Sequence, residues 1–491
     1  MIKLVYSDIA LGAADNASIE TTDASVFSVP QNLPGGVNTG AVATCELNGW
    51  GLSAEYKVKG SQPFAFWSTA KSGADCVFVN PPRIVIDFTE QFTATGLALR
   101  FSPGAGEYCR KITVGWFQGD TMKSGGVYYP TAGSYALENT VEAFDKVVIS
   151  LDETNLPERR AKLEYIGIGI VREFDGEELT EATFINEINL ISDTVPVNTL
   201  DAHFHSTTDT EYLFQKKQPV EAFDGEKLIG VYYIERGDQT GARSYSIKCQ
   251  DAVGTLELDP YKGGLWLQDT PAEDILEDII GGAFELDIAE ELKNRTLRGF
   301  IPPDGTKRAA VQLVAFALGA CVDTAGTAKI KVFLPATGEG EEIPPQKTYE
   351  GGRVTTADMV TEVNLTGYEI TDEEPGDKDD YIEHEGTQYK CIPTVYSSRN
   401  PNITAGALEN KVEFTGCYFI NTSNAQERAD AILAHYMRRK TYNFAHVLSG
   451  QELAGRVVAY LPWGGTAGGN IKKMTISVSG LTVSDTELLL D

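Results

Sequence analysis

Three groups of residues in this 491-residue chain have the types and spacing that chemistry could use. His203 and His205 stand two apart in TLDAHFHS, so on a strand both imidazoles lie on one face, which is how a metal site can begin. The nearest acids, Asp201 and Asp209, complete no metal-ligand spacing, and two partly exposed strand histidines are the plainer expectation. The densest acidic stretch, within 369–385, reads TDEEPGDKDDYIEHE and sets only Lys378 and His384 against its carboxylates. Clustered carboxylate oxygens suit calcium, but the ligand spacing and glycine of a helix–loop–helix calcium loop are missing, so a solvated loop between strands is expected. The third group, Arg438, Arg439 and Lys440, closes the helical pattern SNAQERADAILAHYMRRKT. A helix C-terminus favours cations, which accounts for this group without nucleic acid.

The motifs that reactions require are absent. There is no G-x-S-x-G, no H-E-x-x-H, no phosphate loop ending in Lys-Ser/Thr and no metal-spaced Cys/His cluster. No catalytic residue, cofactor-binding residue or metal ligand is therefore expected, although folding could still bring together two acids suited to glycoside hydrolysis. The seven cysteines, Cys45, Cys76, Cys109, Cys249, Cys321, Cys391 and Cys417, are odd in number and far apart, which predicts buried free thiols. A net charge of −29 argues against general affinity for nucleic-acid phosphates. The start MIKLVYSDIALGAADN is not a secretory signal, and no apolar run approaches the ~18 residues of a membrane span. A soluble product made in the cytoplasm is expected.

These residues sit on elements that the sequence marks clearly. KLIGVYYIERGDQTGARSYSIKCQD predicts a β-hairpin, with Leu228, Val231, Tyr233, Tyr245, Ile247 and Cys249 flanking a Gly-rich turn. TPAEDILEDIIGG predicts a helix capped by Thr270, with Pro271 at its first position, Glu273 reaching back and Gly281-Gly282 ending it. TKRAAVQLVAFALGA predicts a helix buried on most sides, capped by Thr306 and closed by Gly319. In the last third, Ser423 is placed to cap a helix with Gln426 three residues on. Apolar strand positions are expected at Ile188, Leu190, Val195, Val197, Leu200 and Phe204, and final strands in HVLSG, GRVVAYLP and NIKKMTISVSGLTVS.

Residues 1–172 are β-rich almost throughout. RIVIDF, GLALRF, KITVGWF, DKVVISL and AKLEYIGIGI, each bounded by turn residues, predict a β-sandwich. Trp50, Trp67, Trp116, Tyr128 and Tyr129 offer flat faces on which sugar rings stack, but aromatics more commonly fill the core of such a module. Pro157 with Arg159-Arg160 marks a strand entry. The fold class expected is mainly β with a few α-helices: a sandwich at 1–172, then one part at 173–335 and another at 336–491.

The wording of the middle and last parts carries a resemblance. YYIERG, SIKCQD-x-x-G-x-L, the Gly-Gly-Leu-Trp turn, LRGFIPP, RAAVQLVAFALGACVDT and the closing GRVVAYLPWGGTAGGNIKKMTISVSG resemble the hub proteins of phage tails. More narrowly they are similar to hub or tail-tip proteins of phages and prophage-derived tail particles of Gram-positive bacteria. The likeness covers most of 178–491 and is looser before it. It implies tail-hub parts that are β-barrel-like and ring-forming, a homotrimer continuing the tail tube, and a virion structural role without catalysis at the distal tail, with assembly in the bacterial host cytoplasm. The implied partners are the tail-tube protein, other baseplate or tip proteins and the tape-measure protein, with DNA passing unbound through an acidic opening. Two other readings stand beside it: a receptor- or carbohydrate-binding tip protein whose sandwich contacts cell-wall glycan in host attachment, and a cell-wall glycoside hydrolase.

Overall fold

A computed structural model describes residues 2–26, 28–34, 41–42, 46, 51–52, 58–59, 62–63, 65–101, 106–207, 210–376, 379–404, 406, 408–448, 450–478 and 482–491. Two units emerge: Val5–Glu173 with Thr208–Pro219, and Met1–Leu4 with Phe174–Thr207 and Val220–Asp491.

The first unit draws on β1 (Ile2–Ile9), β2 (Ala17–Thr21), β3 (Arg83–Arg100), β4 (Cys109–Gln118), β5 (Thr121–Tyr128), β6 (Ser134–Thr154) and β7 (Tyr165–Phe174). RIVIDF and GLALRF, expected as two strands, are the two ends of β3. β3 and β6 pair twice, 83–87 with 146–150 and 92–100 with 134–144, with bulges between. At one end β4 adds to β6, β5 to β4 and β2 to β3; at the other, β7 adds to β3. The bulges bend both long strands, so their two ends carry different neighbours within one continuous sheet. Ile84, Leu97, Ile112, Trp116, Leu137 and Ile149 are buried in their shared core.

The second unit is organised on one antiparallel run of strands. β8 (Leu179–Glu187) pairs with β9 (Thr199–His205), and the expected hairpin, β10 (Lys227–Gln239) with β11 (Ser244–Gln250), joins β9 through β11. Ile188, Leu190 and Val195, expected on strands, are buried in the connection between β8 and β9 instead. After β11 come α1 (Ala252–Leu256), β12 (Gly264–Pro271), α2 (Ala272–Ile280), β13 (Thr296–Ile301), α3 (Lys307–Leu318), β14 (Cys321–Asp323) and β15 (Ile330–Phe333). Then follow β16 (Arg353–Thr356), β17 (Glu362–Thr371), β18 (Tyr381–His384), β19 (Thr387–Arg399), α4 (Ala425–Met437), β20 (Lys440–Val447), β21 (Arg456–Tyr460), β22 (Thr466–Val478) and β23 (Thr482–Leu490). β22 is the pivot: on one edge 466–470 pair with β21 and 473–478 with β8, while the other edge follows β23. β20 and β16 extend the sheet beyond β23.

The helices fill a second core against this sheet and against β17. Ile275 and Ile279 of α2, Val314 of α3, Leu365 of β17 and Ile432 of α4 are all buried in it, so residues of 173–335 and of 336–491 share one interior. Thr306 caps α3 as expected, its hydroxyl accepting from the Ala309 amide at 3.2 Å, and Gly319 ends it in the left-handed conformation. Thr270 does not cap α2. β12 stays paired with β13 as far as Pro271, and the Ala272 amide donates to the Arg295 carbonyl at 2.8 Å, so neighbouring backbone satisfies that helix end. Ser423 does not cap α4 either. Its hydroxyl donates to Asn421 Oδ1 at 2.6 Å, within a turn in which Asn424 Oδ1 accepts from the Asn421 amide.

Candidate functional site

His203 and His205 alternate with buried Ala202 and Phe204 on β9, and both face solvent beside Asp201. Across the strand, Asp201 meets Lys248 at 3.8 Å and His205 Nδ1 lies 3.4 Å from Ser244 Oγ. Asp209 lies outside the described residues. Among the described residues no group of three His, Cys, Asp or Glu is placed to hold a metal ion. In the acidic stretch, 381–384 form β18 and pair with β19, so the far end of the expected loop is strand. Asp379 is drawn to Lys390 at 3.0 Å and accepts from the Gly376 amide, which holds its carboxyl below the ordinary carboxylate range. Lys378 lies outside the described residues. Arg438 does more than meet a helix end: it donates to the Leu489 and Leu490 carbonyls and to Asn470 Oδ1, tying α4 to β22 and β23.

The six described cysteines are buried free thiols; Cys45 lies outside the described residues. Burial pushes Cys321 and Cys417 up to about 12, so neither supplies a thiolate nucleophile near neutral pH.

In the first unit Trp67 and Trp116 are core residues, Tyr128 is half-buried with its ring edge-on to Trp116, and Tyr129 is 64% exposed. A sugar platform built from the expected aromatics therefore reduces to Tyr129, with Trp50 outside the described residues. Arg159, placed by sequence at a strand entry, belongs to a buried ionic quartet. Its Nε donates to Glu107 at 2.7 Å, Lys162 meets Glu107 at 2.5 Å, and Lys162 also pairs with Glu46. No local pattern announces this, because its members come from 46, 107, 159 and 162.

Residues 210–219 complete the same unit. Gln218, fully buried, donates to the Ile9 carbonyl at 2.8 Å and to Asp8 at 3.2 Å, and Phe214 stacks on Tyr6. Burial raises the Asp8 carboxyl, against hydrogen bonds from Thr95, Tyr6 and Gln218.

A cavity of about 370 Å3 with a mixed polar and apolar lining lies in the second unit. Asn186 of β8, Ile229 of β10, and Met474 and Ile476 of β22 are its buried lining, while Lys227, Gly450 and Glu452 are exposed at its rim. Asp323, also buried in the lining, is held by Lys331 at 3.3 Å, Asn198 Nδ2 at 3.1 Å and the Ala325 amide at 3.0 Å. Behind it Asp251 caps α1 through the Gly254 amide and accepts from Thr324. Burial pushes the Asp251 carboxyl up to about 6. The lining mixes apolar surface with both signs of charge, which suits an amphipathic occupant, and Asp323 is engaged in holding a turn.

The fold defines a mainly β protein of large antiparallel sheets with a curled half-barrel. Among solved structures the chain is similar to the tail protein from Neisseria meningitidis MC58, at 13% identity and a TM-score of 0.46, over 64% of this chain and 92% of that one. It is similar to the 43 kDa tail protein of prophage MuSo2 from Shewanella oneidensis, at 7% identity and a TM-score of 0.46, over 65% of this chain and 97% of that one. A third is prophage tail protein gp18 from Listeria monocytogenes EGD-e, at 9% identity and a TM-score of 0.42, over 65% of this chain and 90% of that one. No protein-family model matches the chain, and none of the curated proteins does.

Proposed function

We propose that the chain is a structural component of a phage tail or phage-tail-like particle, a hub that closes the distal end of the tail tube and anchors baseplate or tip proteins. The observation that carries this reading is the pairing of 182–187 on β8 with 473–478 on β22. It makes neighbours of the first and the next-to-last strands of the region whose wording resembles tail hubs, giving the continuous sheet that a ring-forming part requires. The chain works as a homotrimer, with the tail-tube and tape-measure proteins as neighbours and DNA passing through without specific binding.

The solvent face of the sheet fits that passive role. Two of its acids each meet a separate cation, Glu187 with Lys473 at 2.9 Å and Glu487 with Lys472 at 3.3 Å. Electron microscopy of the chain mixed with its tail-tube protein tests the reading: a trimeric ring on the tail axis is expected, and a monomer that ignores the tube counts against it. A zymogram on purified cell wall is expected to show no clearing.

A further inference from the structure

Of the described tryptophans only Trp463 is exposed, at 63%. It stands at the tip of the hairpin joining β21 to β22, between Pro462 and the left-handed Gly464 and Gly465. The turn is closed by hydrogen bonds from the Leu461 amide to the Gly465 carbonyl and from the Gly464 amide to the Leu461 carbonyl, both 3.0 Å. An indole held out on a braced turn loses little conformational freedom on binding, and tryptophan is the residue type most enriched where interfaces concentrate their energy. The cavity of about 370 Å3 is at the other end of the same strand, against Met474 and Ile476. From Thr466 to Met474 an extended strand spans about 26 Å, so Trp463 does not reach the cavity of its own chain.

We infer that Trp463 of one copy inserts into this cavity on the next, as the repeating joint of the ring. The inference rests on the trimer reading above and adds the contact that makes it. The match is chemical as well as steric. The buried Ile229, Met474 and Ile476 receive the ring face, and the rim carboxylate of Glu452 offers an acceptor to the indole N–H. A knob at one end of a strand and a socket at the other make a head-to-tail contact, which closes into a ring when the rotation between copies allows.

Sedimentation of the full chain across a concentration series tests the joint. Trp463→Ala is expected to raise the trimer dissociation constant about 30-fold or more, and Trp463→Phe by less. Both changes sit on an exposed tip, so the unfolding midpoint of the monomer should not move. Ala325→Trp, which fills the cavity from its own wall, should weaken the trimer equally. Mixing the Trp463→Ala chain with the Ala325→Trp chain should give a one-to-one pair and nothing larger, because each supplies half of one joint. A trimer indifferent to Trp463→Ala, or a mixture that builds full trimers, overturns the inference and leaves the hub reading standing. A full chain that remains monomeric beside its tail-tube protein overturns both.

Discussion

Arg428 of α4 occupies the space left by the missing side chain of Gly319. A Cβ built on that glycine would meet Arg428 Nη1 at 2.6 Å, while the guanidinium lies 5.3 Å from the centre of the Phe316 ring. The cation thus sits at the C-terminal end of α3, where the helix dipole favours it and its own burial is partly offset. Burial still lowers the Arg428 pKa, to about 10.

Gly319→Ala should therefore cost twice, once for a left-handed backbone at φ 69° and once for displacing Arg428. We expect about 2–3 kcal/mol by urea denaturation. Gly282→Ala is the matched control: its φ is 70° but nothing lies within 4 Å of the added methyl, so about 1 kcal/mol is expected. Equal losses at the two sites would mean that the Arg428 contact is immaterial.

Asp251 and His435 should pull the pH dependence of stability in opposite directions. Asp251 has its pKa raised to about 6 by burial, so its contribution is full below its unfolded pKa, about 4, and is lost as pH rises to about 6. His435, held down at about 4 by burial and then by Lys472 and Arg438, contributes fully above its unfolded pKa of about 6.5 and loses that contribution as pH falls to about 4. Each is worth about 3 kcal/mol at most. Asp251→Asn should unmask a loss of stability on acidification from pH 6.5 to 4, and His435→Gln a gain. Urea midpoints at each pH decide it.

The buried quartet should respond sharply to single changes. Lys162→Met leaves Glu46 and Glu107 without their shared ammonium and is expected to cost about 3–5 kcal/mol. Adding Glu46→Gln should recover part of that loss, and a double-mutant cycle is expected to give a coupling above about 1 kcal/mol. Strict additivity would show that the two side chains do not interact.

Residues 210–219 should prove integral to the first unit. Gln218→Ala removes the donor to the Ile9 carbonyl and to Asp8 and is expected to cost about 2 kcal/mol. Its local signature is faster amide exchange on β1 and quicker proteolysis between 208 and 219. Glycan binding is for the same reason best assayed on the full chain, with Tyr129→Ala as the comparison, since a fragment ending at 172 lacks this strap.

Short-range pattern was enough to read the hairpin of β10 and β11, the buried faces of α2 and α3, the Thr306 and Gly319 ends of α3 and the inert thiols. Each depends on spacing within a dozen residues or fewer, which the order of side chains states directly. Thr270 and Ser423 were equally well placed by spacing, yet their helices start without them, because strand β13 and the Asn421 turn took over that work. The bent strands β3 and β6, the ionic quartet, the strap at Gln218 and the cavity walls drawn from Asn186, Ile229, Asp323 and Met474 had no local signal. Their partners are tens to hundreds of residues apart, and burial that joins such distant segments is settled only when the sheets close around a common interior.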